Sequence, residues 1–182
     1  MDIEEIARVL RDRYGKKTVA GLSDGEIEEV SLDQATEELP GEWREFLSLM
    51  GRRTGGLLFQ DTDLLYPEIL GIKAEALDEF PSLRSRVACG DDLVVVGMYQ
   101  DREFYVMGGP HGAGSDVVRY IKGEDQPCYG FPSFTALLQY KLSLLPRTGA
   151  GIDHSVPGGR REPKPERRPS AFARWRRKGH LW

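Results

Sequence analysis

Apolar positions recur every three to four residues near the start of this chain, again before residue 50, and once more near residue 140. Ile3, Ile6, Ala7, Val9 and Leu10 predict an opening helix that ends near Gly15. Residues 23 to about 38 read as a second helix. Ser23 and Glu26 open it as an S-x-x-E capping box, in which each side chain satisfies the other's free backbone N–H. The third stretch, Leu39–Gly51, carries its own start, buried face and stop. Pro40 suits a first helical turn, and Glu42 and Glu45 follow it near the positive end of the helix dipole. Trp43, Phe46, Leu47 and Met50 fall at i, i+3, i+4 and i+7, one apolar stripe that places Trp43 in the core. Gly51 predicts a left-handed stop.

The pattern then changes. Leu57-Leu58-Phe59 and Leu64-Leu65-Tyr66 read as short strands or turns around Asp61 and Asp63, and 75–84 as a helix that Pro81 weakens. Leu93–Met98, Glu103–Met107 and Val117–Ile121 are rich in Val, Tyr, Phe and Ile and are separated by Gly/Asp/Pro turns, as expected of strands. From about Pro132 to Leu145, Phe134, Leu137, Leu138, Lys141 and Leu142 return to helical spacing, with the Lys141 stem along that face. Helices, then a strand meander, then a helix predict an α+β fold, with N-terminal helices and a C-terminal helix packed on a mainly antiparallel sheet.

Composition changes abruptly near Pro146, which divides the chain into a domain over 1–146 and a tail over 147–182. The tail holds ten Lys/Arg against three acids, a charge of +7, and the domain carries −11. Pro157, Pro163, Pro165 and Pro169 work against regular structure in the tail, which is expected to be disordered. Its Phe172, Trp175 and Trp182 lie among arginines and lysines, a composition suited to weak, nonspecific contact with nucleic acid or an anionic surface. The longest strongly apolar run, Leu93-Val94-Val95-Val96, is far short of a membrane span, and the acidic start Asp2-Ile3-Glu4-Glu5 lacks the basic opening of a secretory signal. Cys89 and Cys128 have no metal or redox spacing and read as reduced, partly buried thiols. A cytoplasmic location is the expectation.

No motif carries a complete chemistry. Gly21-Leu22-Ser23-Asp24-Gly25 matches the nucleophile elbow G-x-S-x-G, but only twenty residues precede it, too few for the sheet and oxyanion loop a hydrolase needs. The glycine-rich 108–115 would cradle phosphate only if it opened a helix, and the following Val117-Val118-Arg119-Tyr120-Ile121 reads as a strand. His111, His154 and His180 share no ligand spacing. The acidic pairs Asp61/Asp63 and Asp91/Asp92 sit in turn-like contexts with no third partner, where side chains that shape turns are the simpler role. No catalytic, cofactor-binding or metal-binding residue is therefore expected.

In order along the chain, Leu39-Pro40, Trp43, Phe46-Leu47 and Gly51, then Tyr66-Pro67, then Gly90-Asp91-Asp92-Leu93, then Pro132-Ser133-Phe134 resemble the SUKH superfamily of bacterial immunity proteins and fungal cell-wall regulators. The resemblance covers about 23–145. Met50-Gly51 stands where the family often has Asn-Gly, and a longer insert with Pro81 precedes Gly90. The resemblance implies a SUKH-like fold and binding in place of catalysis, with a cognate protein toxin, often a nuclease, as the partner. An acidic domain suits a basic toxin. Asp61, Asp63, Tyr66 and Glu68, acids around one aromatic, and Asp91 and Asp92 are the candidate partner-binding residues. Two alternatives are a regulatory scaffold whose tail recruits partners, and a hydrolase using Ser23.

Overall fold

The computed structural model of the chain describes residues 1–57, 62–109, 116–124 and 126–145. The opening stripe becomes α1 (Ile3–Tyr14), started by the Asp2 side chain, which accepts from the Glu5 N–H at 2.8 Å. A single 3-10 turn (Lys16–Thr18) leads to β1 (Val19–Ala20), then α2 (Asp24–Asp33), α3 (Gly41–Met50) and β2 (Arg53–Thr54), which pairs antiparallel with β1. Gly21 lets this first unit close: a Cβ there would lie 1.7 Å from the Ser48 carbonyl oxygen. Beside it the Leu22 N–H donates to the Leu47 carbonyl at 2.9 Å, fastening the entry of α2 to the end of α3.

The α3 stripe is as predicted, with Trp43, Phe46, Leu47 and Met50 all buried. Its ends differ from expectation. Pro40 is the N-cap, with extended ψ of 132°, and its carbonyl accepts from the Arg44 N–H at 2.9 Å. Gly51 is right-handed, at φ −61°. Space explains this glycine: a Cβ would stand 2.6 Å from the Leu47 carbonyl oxygen and 3.0 Å from Leu22 Cγ.

β3 (Thr62–Asp63) follows, then α4 (Ile72–Glu79) and α5 (Pro81–Ala88). These two helices replace the one expected over 75–84. Phe80 breaks the run in extended conformation, as the residue before a proline prefers, and Pro81 opens α5 where its missing N–H is harmless. β4 (Asp92–Tyr99), β5 (Glu103–Gly109) and β6 (Val117–Ile121) form the predicted meander, and β7 (Cys128–Phe131) extends it. Sequence reading missed β7, a four-residue strand containing a cysteine and a glycine. The order β3-β4-β5-β6-β7 is antiparallel throughout, with a register shift between Val95 and Gly97. α6 (Phe134–Ser143) closes the domain, capped by the Ser133 hydroxyl, which accepts from the Ala136 N–H at 3.0 Å. The fold is therefore α+β, as expected.

The sheet is covered on both faces. Met98, Phe104 and Tyr120 lie opposite one another across β4, β5 and β6. The ring of Phe80, at the α4–α5 joint, meets Phe104 at 5.6 Å and Tyr120 at 5.4 Å. Lys122 reaches across from the end of β6 to Glu79 at 3.4 Å and Glu75 at 3.7 Å. Gly97, Tyr105 and Arg119 belong to the opposite face, where Leu64 packs on Gly97 and the C-terminal part of α6 lies against the sheet. α6 is joined to α3 by an edge-on pair, Phe46 and Phe134, with centroids 5.2 Å apart and planes at 67°.

Candidate functional site

Eight carboxylates (Asp24, Glu26, Glu28, Glu29, Asp33, Glu37, Glu38 and Glu42) and no lysine or arginine fall between residues 23 and 43. α2 buries Ile27, Val30 and then Gln34 on one side, so Asp24, Glu28, Glu29, Glu37 and Glu38 are left exposed. Leu32 lies off the buried stripe, one turn beyond Glu28 and Glu29, and is 74% exposed. The result is an acidic helix and turn that also expose one large apolar side chain.

Its first end is held by side chains from three segments. The Glu26 carboxylate accepts from the Ser23 N–H at 3.0 Å and from the Ser23 hydroxyl at 2.9 Å, the capping interaction expected of this pair. The same carboxylate pairs with Arg52, and this hydrogen bond, with those from Ser23, holds its pKa down at about 2. The Arg52 guanidinium also stands over the Tyr66 ring, 5.4 Å from its centroid, and the Tyr66 hydroxyl donates to Glu29 at 2.7 Å. That hydrogen bond raises the Tyr66 pKa, with burial adding to it. Ser23 is thus committed to a helix start, and the strand before it, β1, belongs to a two-stranded sheet separate from the main one.

The other end explains why α2 stops at Asp33, short of the expected 38. Gln34 is fully buried, and its side-chain carbonyl accepts from the Val95 N–H of β4 at 2.8 Å. Its backbone carbonyl accepts from the buried Lys73 ammonium of α4. Burial pushes the Lys73 pKa down, while Asp92 and Asp33 oppose that shift. Asp33 takes the Gly71 N–H on both carboxylate oxygens at 3.0 Å, and its burial raises its own pKa. Anchored this way, the chain turns at Ala35, where φ is 46°. Thr36 then holds the turn: its carbonyl accepts from the Ser31 hydroxyl at 2.9 Å, and its own hydroxyl donates to the Glu38 carbonyl at 3.0 Å and to Asp92 at 3.1 Å.

Two of the predicted partner-binding residues meet this surface from other segments, Tyr66 through Glu29 and Asp92 through Thr36. Asp92 also lines a cavity of about 370 Å³ with Glu38, Leu39, Pro40, Gly41, Val94 and Gly108. Glu68 is half-buried in the turn after the cis Tyr66–Pro67 peptide. Asp63 is on the edge strand β3, opposite Met98. Asp91 points the other way: its carboxylate accepts from Arg86 Nε at 2.7 Å, its side chain is only 17% exposed, and Arg86 also donates to the Tyr120 hydroxyl at 3.2 Å. Burial works against the Arg86 charge, and these two hydrogen bonds outweigh it and leave its pKa raised. Asp91 is thus neutralised within the domain. Asp61 lies outside the described residues, as do 110–115 of the glycine-rich stretch, which stands between strands β5 and β6.

Sequence reading missed Glu28, Glu29 and Leu32. The signal was present as an acidic run without a single cation and a leucine off the apolar stripe. Gln34 and Lys73 left no comparable signal, because their burial follows from tertiary contacts with β4 and α2. Cys89 is exposed, not partly buried as expected, and Cys128 donates its thiol to Glu124 at 2.9 Å, which raises its pKa. Among the described residues, no group of three His, Cys, Asp or Glu could hold a metal ion, and no helix is long and apolar enough to cross a membrane. Compared with protein-family models and with curated proteins, the chain matches none.

Proposed function

We propose that this chain is a non-enzymatic protein-binding module of the immunity type, which docks its α2 face onto a basic, nuclease-type toxin and neutralises it in the cytoplasm. One observation carries the reading: exposed Asp24, Glu28, Glu29, Glu37 and Glu38 share one helix and its following turn with an exposed Leu32. A carboxylate face steers a cationic partner during encounter, and an exposed apolar side chain then lengthens the lifetime of the complex by excluding water. The resemblance of 39–51, 66–67, 90–93 and 132–134 to the SUKH superfamily supports the same class of partner.

A nuclease cleft is lined with cations that receive phosphates. The spacing of carboxylates along α2 offers them substitute anions, and a domain seated over the cleft blocks substrate entry. The rigid supports at both ends of α2, Arg52–Tyr66 at one and Gln34–Val95 at the other, reduce the ordering cost of docking. The test is to mix the full chain with the basic toxin domain encoded beside its gene and assay nuclease activity. Stoichiometric inhibition, lost when Glu28 and Glu29 are both changed to Lys, is the expected outcome. Full toxin activity in the presence of excess protein would overturn the proposal.

A further inference from the structure

A second concave surface lies on the far side of the sheet from Phe80. It has a volume of about 420 Å³ and is lined by Tyr99, Glu103, Tyr105, Arg119, Phe131 and the last turns of α6. The register explains why these residues meet. Tyr99 is opposite Glu103 and Tyr105 is opposite Arg119, so the four side chains share one face of β4, β5 and β6. α6 supplies the other wall with Tyr140, Lys141 and Leu144. Tyr140 and Leu144 are one turn apart and 49% and 59% exposed, two of the large apolar side chains that this domain leaves open to water. The Tyr140 ring leans on Phe131 at 5.5 Å.

Charge decides what this groove accepts. Glu103 is already paired with Arg119 at 3.5 Å. Lys141 is half-buried and has no ion pair among the described residues; its ammonium lies over the Tyr99 ring, 5.7 Å from the centroid. Two cations against one carboxylate leave the lining with a net positive charge, and the partly desolvated Lys141 is the cation farther from that carboxylate. Burial lowers the Lys141 pKa, with Glu103 opposing the shift and Arg119 adding to it, so an incoming anion would complete a compensation that Glu103 supplies only in part. Tyr105, whose pKa burial pushes up to about 12, stays a neutral hydrogen-bond donor at neutral pH. A cation that sought the aromatic rings would instead meet Lys141 and Arg119.

We propose that the groove between α6 and the Tyr99–Tyr105–Arg119 face is a binding site for a small planar aromatic anion, either an aryl carboxylate or an aryl phosphate. The ring lies against Tyr140, Phe131 and Leu144 and the anionic group reaches Lys141. The groove is within the size range of small-molecule sites, and apolar walls with a few convergent polar groups are their usual composition. This site is separate from the acidic α2 face and stands or falls without it.

The full chain is titrated with indole-3-acetate and phenyl phosphate, and in parallel with indole, phenol, acetate and inorganic phosphate, while backbone amide shifts are followed by NMR. Saturable shifts centred on Tyr99, Tyr105, Arg119 and Tyr140 are expected for the aromatic anions, with affinity at least about tenfold above the neutral rings and the ring-free anions. The stronger of the two aromatic anions identifies the source class. Lys141→Met is expected to bring the anions down to the affinity of the neutral rings, with Lys141→Arg restoring the preference. Tyr140→Ser, at an exposed position that the fold tolerates, weakens every aromatic ligand. Equal binding of neutral and anionic rings, an anion preference that survives Lys141→Met, or no saturable shift with any aromatic probe overturns the proposal.

Discussion

Replacing Gln34 by Met tests how the acidic turn is fixed to the sheet. The substitution nearly conserves volume and chain shape, so little cavity or overpacking energy enters. It removes the acceptor of the Val95 N–H, a 2.8 Å hydrogen bond to a strand in the middle of the buried core. A buried donor left without a partner costs about 1–3 kcal/mol. An opposing contribution comes from the buried Gln34 Nε2 atom, which among the described residues makes no hydrogen bond of good geometry beyond its approach to Asp33, so its removal relieves part of an amide's desolvation. Lys73 is unaffected, because it bonds the backbone carbonyl. The net expectation is a loss of about 1–2 kcal/mol, equivalent to a drop of roughly 3–8 °C in Tm for a domain of this size. Urea denaturation measures it as a lower midpoint with unchanged slope, and hydrogen exchange reports faster opening at the Val95 amide. A Gln34→Met protein as stable as the parent, with Val95 equally protected, would refute the role given to this contact.

Phe134→Ala removes a fully buried ring from its edge-on contact with Phe46 and is expected to cost about 3–5 kcal/mol by urea denaturation. The Glu26 carboxyl, followed by NMR, should titrate near pH 2 and move up toward its ordinary 4.5 in Arg52→Gln, stopping short because the Ser23 hydrogen bonds persist. The folded pKa is the depressed one, so as pH falls the unfolded chain takes the proton first. The stabilising contribution of Glu26 is therefore complete above about 4.5 and fades as pH falls toward 2, and Arg52→Gln should flatten the stability profile over that window. Leu32→Ser alters a side chain in solvent and should change stability by no more than about 0.5 kcal/mol while speeding dissociation of the partner.

Legibility in the sequence followed the range of the physics. The α3 stripe and the strands over 93–98, 103–107 and 117–121 were readable because local periodicity and β-branched content decide them. The ends were less so. α2 was expected to run to 38 because 34–38 are acceptable in a helix, yet Gln34 is pulled into the sheet by Val95 and Lys73, some 60 and 40 residues away. Gly51 was assigned a left-handed stop from its residue type, and the close approach of Leu47 and Leu22 is what requires it. Asp91 and Asp92 looked equivalent as neighbours. Asp91 ends the turn from α5 and is neutralised by Arg86, and Asp92 opens β4 beside Thr36.

The most direct test of the proposed acidic docking face is the association rate of the full chain with the basic toxin domain proposed as its partner, as a function of ionic strength. The rate is expected to fall by at least about tenfold between roughly 25 mM and 500 mM salt, and the Glu28→Lys/Glu29→Lys double variant should be slow at every salt concentration. A rate that ignores both salt and the charge reversal, or no association at all, would contradict it.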